Sequence, residues 1–180
     1  MMTELDQRID AGMQPYRPQE ELLTTITGVD KKSAEIIIAE IGADMSQFPT
    51  AAHLASWAGI CPGNNESAGK RRNGKLNKGD SWLMRILIQV AYAASRTKNT
   101  YLKDKYHRIA ARRGKKKASV AIGHKILSLA YYILSRGLSY QDLGENYLDN
   151  LNKEVIEKRL IKRLQKLGNR VIVEPVPSVA

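Results

Sequence analysis

Apolar residues recur along this chain at three- and four-residue spacing and rarely alternate, which predicts an almost entirely helical protein. A short helix is expected over residues 3–11, closed by Gly12 with Pro15 and Pro18 behind it. Segments 20–26 and 31–41 are amphipathic and joined by Thr27-Gly28-Val29-Asp30, and Thr50 is placed to cap a helix over 51–58. Asp80 or Ser81 caps the next helix, which runs to about Arg96 with Leu83, Ile86, Leu87, Val90, Ala91 and Ala94 on one face. Residues 99–112 make a helix loaded with Lys103, Lys105, Arg108 and Arg112, and Gly114 breaks it. Lys115-Lys116-Lys117 then lead into a helix over 118–136 that is apolar nearly all round, as a central core helix is. From Tyr147 a last amphipathic helix carries Leu148, Leu151, Val155, Leu160, Leu164 and Leu167 as far as Gly168-Asn169, and Pro175 and Pro177 leave a frayed tail.

The one long non-helical stretch, 59–79, changes this picture. Within it Asn73-Gly74 is a two-residue hairpin signal, because a type I′ turn needs positive φ at both central positions. Lys70–Arg72 and Lys75–Asn77 are its expected flanks, so a basic loop or short exposed β-hairpin is predicted here. Ser67 stands just before it, between Gly63 and Gly69.

Charge sharpens the reading. The formal net charge is +11, and its distribution is uneven. Residues 1–66 hold ten acids against four Lys and Arg, whereas residues 67–140 hold 18 Lys and Arg against Asp80 and Asp104 alone. One continuous cationic block suits a surface that follows phosphates, so nucleic acid is the expected partner. No apolar run in the sequence reaches the length of a membrane span, and a cytoplasmic, nucleoid-associated protein without a membrane partner is expected. Cys61 is the single cysteine, which excludes a disulfide framework. His53, His107 and His124 are scattered without metal-ligand spacing, so no zinc site is expected. His107 is read as a phosphate contact and His124 as a satisfied, buried or half-buried core histidine. Trp57 and Trp82 flank the serine loop and are assigned to core packing, base stacking being the lesser reading.

Residues 22–37 also fit a helix-hairpin-helix element, with Ile26 at the first helix end, Gly28 at the turn, Ala34 at the crossing and Ile37 in the second helix. Free amides opening the second helix would face a phosphate, with Lys31 and Lys32 adding charge. An ordinary αα-hairpin with a glycine turn satisfies the same pattern, and the residues alone leave both readings open.

Several segments together resemble one family: Leu54-Ala55-Ser56-Trp57-Ala58-Gly59-Ile60-Cys61-Pro62-Gly63, Glu66-Ser67-Ala68-Gly69-Lys70, Lys78-Gly79 and Leu83-Met84-Arg85-Ile86-Leu87. Their order resembles the C-terminal domain of insertion-sequence transposases that join a RuvC-like N-terminal domain to a serine-bearing C-terminal domain. That group includes the pilin-gene inverting recombinases and members guided by a bridge RNA. The resemblance implies a DNA recombinase with Ser67 at the nucleophile position, and a structured guide RNA and a homo-oligomer, or a partner carrying the RuvC-like domain, as further associates. It also implies Mg²⁺, held by an acidic N-terminal domain that has no counterpart in this sequence, so a truncated or split product, inactive alone, is expected. On this reading residues 1–18 are a remnant linker, 19–145 the helical DNA-binding domain and 146–180 a C-terminal helix and tail. The expected nucleic-acid contacts are Gly28, Lys31, Lys32, Gly69, Lys70, Arg71, Arg72, Lys75, Lys78, Arg85, Arg108, Arg112, Arg113, Lys115, Lys116 and Lys117. The rival reading is a non-catalytic DNA- or RNA-binding module in which Ser67 is inert.

Overall fold

A computed structural model describes residues 2–61, 65–67, 70–73 and 79–174. The chain forms two compact units, Met1–Glu145 and Asn146–Ala180. In the first, α1 (Met2–Met13) runs past Gly12, and a 3₁₀ turn bearing Pro15 follows it and leads into α2 (Arg17–Thr24). Arg17 reaches Asp10 on α1 and the buried Glu20 on α2, and its guanidinium lies 3.6 Å from Glu35. This pairing is what lets Glu20 be buried, since an unpaired carboxylate there would be costly.

The turn after α2 depends on Gly28. Its φ is +90°, and an added Cβ would stand 2.6 Å from the Ala94 amide nitrogen and 2.8 Å from the Val90 carbonyl oxygen. Gly28 therefore turns the chain and also brings α2 and α3 (Lys31–Ile41) onto the backbone of α5 (Ser81–Arg96). Asp30 caps α3, accepting the Ser33 N–H at 2.8 Å. Thr50 caps α4 (Ala51–Trp57), and Asp80 caps α5 by accepting the amides of Trp82 and Leu83, both at 2.8 Å. Thr100 caps α6 (Tyr101–Arg113), and Gly114 separates it from α7 (Lys115–Arg136). The helix expected to begin at Ala118 thus starts three residues earlier. The lysine run is its first turn and not a lead-in.

Helix α7 is central, packed against α2, α4, α5 and α6. Ile122, Ile126 and Leu127 on it are fully buried, together with Leu23, Ile37, Leu54, Leu83, Leu87 and Leu102 from other helices and Ile26 from the turn after α2. By length and composition α7 is apolar enough to cross a membrane, contrary to the expectation that no segment is. Its inward residues are occupied by the neighbouring helices, which accounts for its apolar character as that of a core helix. Beyond Gly137 the segment 138–144 straps back: Asp142 accepts from the Tyr101 amide at 2.9 Å, the Gly144 amide at 2.7 Å, and the hydroxyls of Thr27 and Tyr140, each at 3.1 Å. The Tyr140 amide donates to Thr25 Oγ1 at 2.8 Å.

The second unit holds α8 (Tyr147–Leu151) and α9 (Lys153–Lys166) in place of the single helix predicted. Asn152, at φ −128° and ψ 29°, breaks the run because both dihedrals leave the helical region. Leu151, Val155, Leu160, Leu164 and Leu167 are all exposed. Pro175 and Pro177 lie outside the described residues. The expected all-helical class holds, with one short β-hairpin, and the expected single C-terminal amphipathic helix is two helices.

Candidate nucleic-acid interface

The strand pair is β1 (Asn65–Ser67) and β2 (Lys70–Asn73), antiparallel, with Ser67 opposite Lys70, Glu66 opposite Arg71 and Asn65 opposite Asn73. Lys70–Asn73 thus pairs with the segment that precedes it, while Gly74 of the expected Asn73-Gly74 turn and its flank 75–77 lie outside the described residues. The register opposes Glu66 and Arg71, an opposite-charge pair across the ladder, with a bulge between Asn65 and Glu66. Ser67, Lys70, Arg71 and Arg72 are placed through this ladder, whereas Gly69, Lys75 and Lys78 lie outside the described residues.

At Gly79 the backbone lies against the chain just after α4. A Cβ on Gly79 would fall 2.4 Å from the Gly59 nitrogen and the Ala58 carbonyl carbon, so only glycine allows this approach. Next to it the Asp80 carboxylate is held below its usual range, chiefly by the Leu83 amide. Glu40 on α3 is pushed up, first by burial and then by its hydrogen bond and charge interaction with Asp80. Both tryptophans flanking the hairpin are substantially exposed, 47% for Trp57 and 64% for Trp82, which corrects their assignment to the core. Trp57 rests on Phe48 with ring centroids 5.6 Å apart, and Arg85 lies 5.0 Å over the Trp82 ring. Helix amphipathicity decides this: the buried row of α5 is Leu83, Leu87, Val90, Ala91 and Ala94, and Trp82 and Arg85 fall on the opposite side.

A second group of cations forms the elbow between α6 and α7. Arg112 and Arg113 end α6, Gly114 turns the chain at φ +85°, and Lys115, Lys116 and Lys117 open α7, all exposed. No acid lies in the first turn of α7 and no side chain caps it. Three lysines at a helix N-terminus oppose the macrodipole, an arrangement that an anion relieves. Arg108, one turn back, is engaged with Asp104 through Nε at 2.7 and 2.9 Å. His107 is exposed beside it, edge-on to Tyr106.

The α2–α3 turn is less open than the sequence suggests. Asp30 already takes the Ser33 amide, one of the amides that open α3. Lys31 lies 3.4 Å from Asp10 and 3.9 Å from Glu35, while Lys32 is exposed. Gly28 faces the α5 backbone. His124 is half-buried, and burial first, then Lys125 and Lys105, lower its pKa and favour the neutral ring. Among the described residues no group of three or more His, Cys, Asp or Glu is arranged to hold a metal ion, so they do not fit a Mg²⁺ site. Lys125 at mid-length of α7 and Tyr132 and Arg136 near its end are further candidates, absent from the contacts expected above. Their signal was present in the row Lys117, Ala121, Lys125, Tyr132, Arg136, which keeps to one side of a helix.

The fold and its charges define a helical domain with a cationic elbow and a serine-bearing hairpin. Residues 20–107, which enclose that hairpin, match the family model described as Transposase IS116/IS110/IS902 family. The chain is 31% identical over 144 residues to the "Insertion element IS110 uncharacterized 43.6 kDa protein" of Streptomyces coelicolor, an alignment covering 76% of this chain and 34% of that protein. It is 27% identical over 128 residues to the "Putative transposase y4pF/y4sB" of Sinorhizobium fredii, covering 66% of this chain and 32% of the relative. The chain is thus similar to IS110-type transposases, and the aligned region spans about a third of the length of these curated relatives.

Proposed function

We propose that this chain is a DNA-binding, serine-bearing portion of a transposase or site-specific recombinase. The observation that carries the reading is that the transposase match over 20–107 encloses the Ser67 hairpin and opens a block of sequence almost free of acids. In this reading the Ser67 Oγ attacks a backbone phosphorus, forming an O–P bond as the bond to one sugar oxygen breaks. The serine proton leaves to a base and the sugar oxygen departs as a hydroxyl, and attack by another sugar hydroxyl reverses the step and rejoins the strand. Lys70, Arg71 and Arg72 hold the scissile phosphate and offset charge developing on it. Arg112, Arg113 and Lys115–Lys117 anchor duplex phosphates, and Arg85 extends that surface. The α2–α3 turn acts as a helix-hairpin-helix contact of lesser strength, because Asp10, Glu35 and Asp30 engage its cation and its amide. Mg²⁺ belongs to carboxylates outside the described residues, on a RuvC-like domain supplied as a partner, and a guide RNA and self-association are further parts of the reading.

The test is covalent trapping. The chain is incubated with DNA carrying insertion-element ends, the metal-binding domain of a longer relative, and Mg²⁺. A denaturation-resistant protein–DNA adduct that maps to Ser67 and is lost in Ser67→Ala is the expected result. Adduct formation that persists in Ser67→Ala rejects the nucleophile. Specific DNA binding with no adduct favours the second reading, a non-catalytic binding module.

A further inference from the structure

We propose that the C-terminal end of α7 and the strap after it form a stacking pocket for a single-stranded nucleotide, separate from the cationic elbow. The inference rests on the nucleic-acid reading above and names a contact that reading lacks. Tyr132 is 47% exposed, an uncommon state for an aromatic side chain on the central helix of a fold. It is also held in place. Tyr131 meets it edge-on with centroids 5.4 Å apart, and the Tyr131 hydroxyl donates to the Phe48 carbonyl at 3.0 Å. The Arg136 guanidinium lies 5.2 Å from the Tyr132 centroid.

Beside this plate is a cavity of about 300 Å³, lined among others by Lys125, Leu129, Tyr132, Arg136, Leu138 and Leu143. That volume is at the small end for ligand sites and suits one nucleotide. Leu138 and Leu143, both more than half exposed, offer apolar edges to a base, and Lys125 and Arg136 offer charge to its phosphate. No Asp or Glu is among the described lining residues. Asp142, on the same strap, is already engaged by two amides and two hydroxyls.

Two considerations favour a nucleic-acid strand over a protein partner. Lysine is depleted from the cores of protein–protein interfaces, whereas aromatic plates bordered by cations are the usual platform for single strands. A row of side chains also leads from the elbow to the pocket, because Lys117, Ala121, Lys125, Tyr132 and Arg136 fall within an arc of about 100° on α7. Tyr132 is about 22 Å along the axis from Lys117, so a strand leaving the elbow can follow this row to the pocket.

The experiment uses the full chain with fluorescein-labelled oligo-dT, oligo-U and a DNA duplex at fixed salt. Tyr132→Ala should weaken oligo-dT or oligo-U binding about 5- to 100-fold while leaving duplex binding within about twofold, and Tyr132→Trp should restore it. Comparing dT with U tells whether DNA or RNA is the preferred strand. In wild type, a 5-bromouracil-substituted strand should photo-crosslink to the peptide containing Tyr132, a readout that stands even where the alanine variant folds poorly. Single-strand affinity unchanged in Tyr132→Ala, or crosslinks confined to other peptides, overturns the inference. Sedimentation showing self-association abolished by Tyr132→Ala with strand binding intact also overturns it, and makes the groove a protein contact. Wild type that binds duplex but no single strand defeats this inference alone, whereas wild type that binds neither defeats the functional reading with it.

Discussion

Gly28 has no room for a side chain, and the obstacle is backbone on a neighbouring helix. Gly28→Ala combines a φ of +90° with a Cβ 2.6 Å from the Ala94 nitrogen, so α2 and α3 must lift from α5. A loss of about 2–4 kcal/mol in urea unfolding is expected. Ser67→Ala, by contrast, should change stability by no more than about 0.5 kcal/mol while removing the covalent adduct. Glu40 gives a pH signature. Its carboxyl is raised in the folded chain, so the fold binds that proton more tightly, and stability falls as pH rises from the ordinary Glu value through the raised one. Glu40→Gln should therefore be more stable than wild type at pH 7, by a fraction of a kcal/mol, with the gap closing in acid. A gap that widens below pH 5 would show the sign to be wrong.

At the scale of elements, the start of α7 sets stability against binding. Lys115, Lys116 and Lys117 sit where the helix dipole disfavours cations and no cap compensates. Replacing all three by Ala should raise the melting temperature slightly and, at the same time, lower the salt slope of duplex binding by about three. A variant that loses stability, or keeps its slope, removes the run from the interface. Two helix starts were legible in sequence because a cap is local: Thr50 and Asp80 each accept amides two or three residues on. The hairpin register was not, because it depends on which segment pairs with Lys70–Asn73, and a turn signal inspects only one side of that choice. The break at Asn152 escaped notice for a related reason: the apolar spacing continues across it while the backbone does not.

For the whole molecule, one core in the first unit carries the fold. Ile126 is fully buried on the helix that four others surround, so Ile126→Asp should cost several kcal/mol or prevent folding, as read by calorimetry. A chain ending at Glu145 keeps that core intact and should melt cooperatively, at a temperature close to that of the full chain. By itself the sequence determined the helical class, the cationic block from 67 to 140, the placing of α7 in the core and the serine beside a basic hairpin. Each of these follows from composition or from periodicity within one segment. Tertiary structure alone decided which of those side chains face outward. Trp57 and Trp82 are exposed because the packing surface of each helix is set by its neighbours, and hydrophobicity does not reveal which neighbour arrives. For the same reason Lys31 is drawn into pairs with Asp10 and Glu35, and Lys125, Tyr132 and Arg136 meet the returning strap, since burial and charge pairing arise between segments distant in the chain.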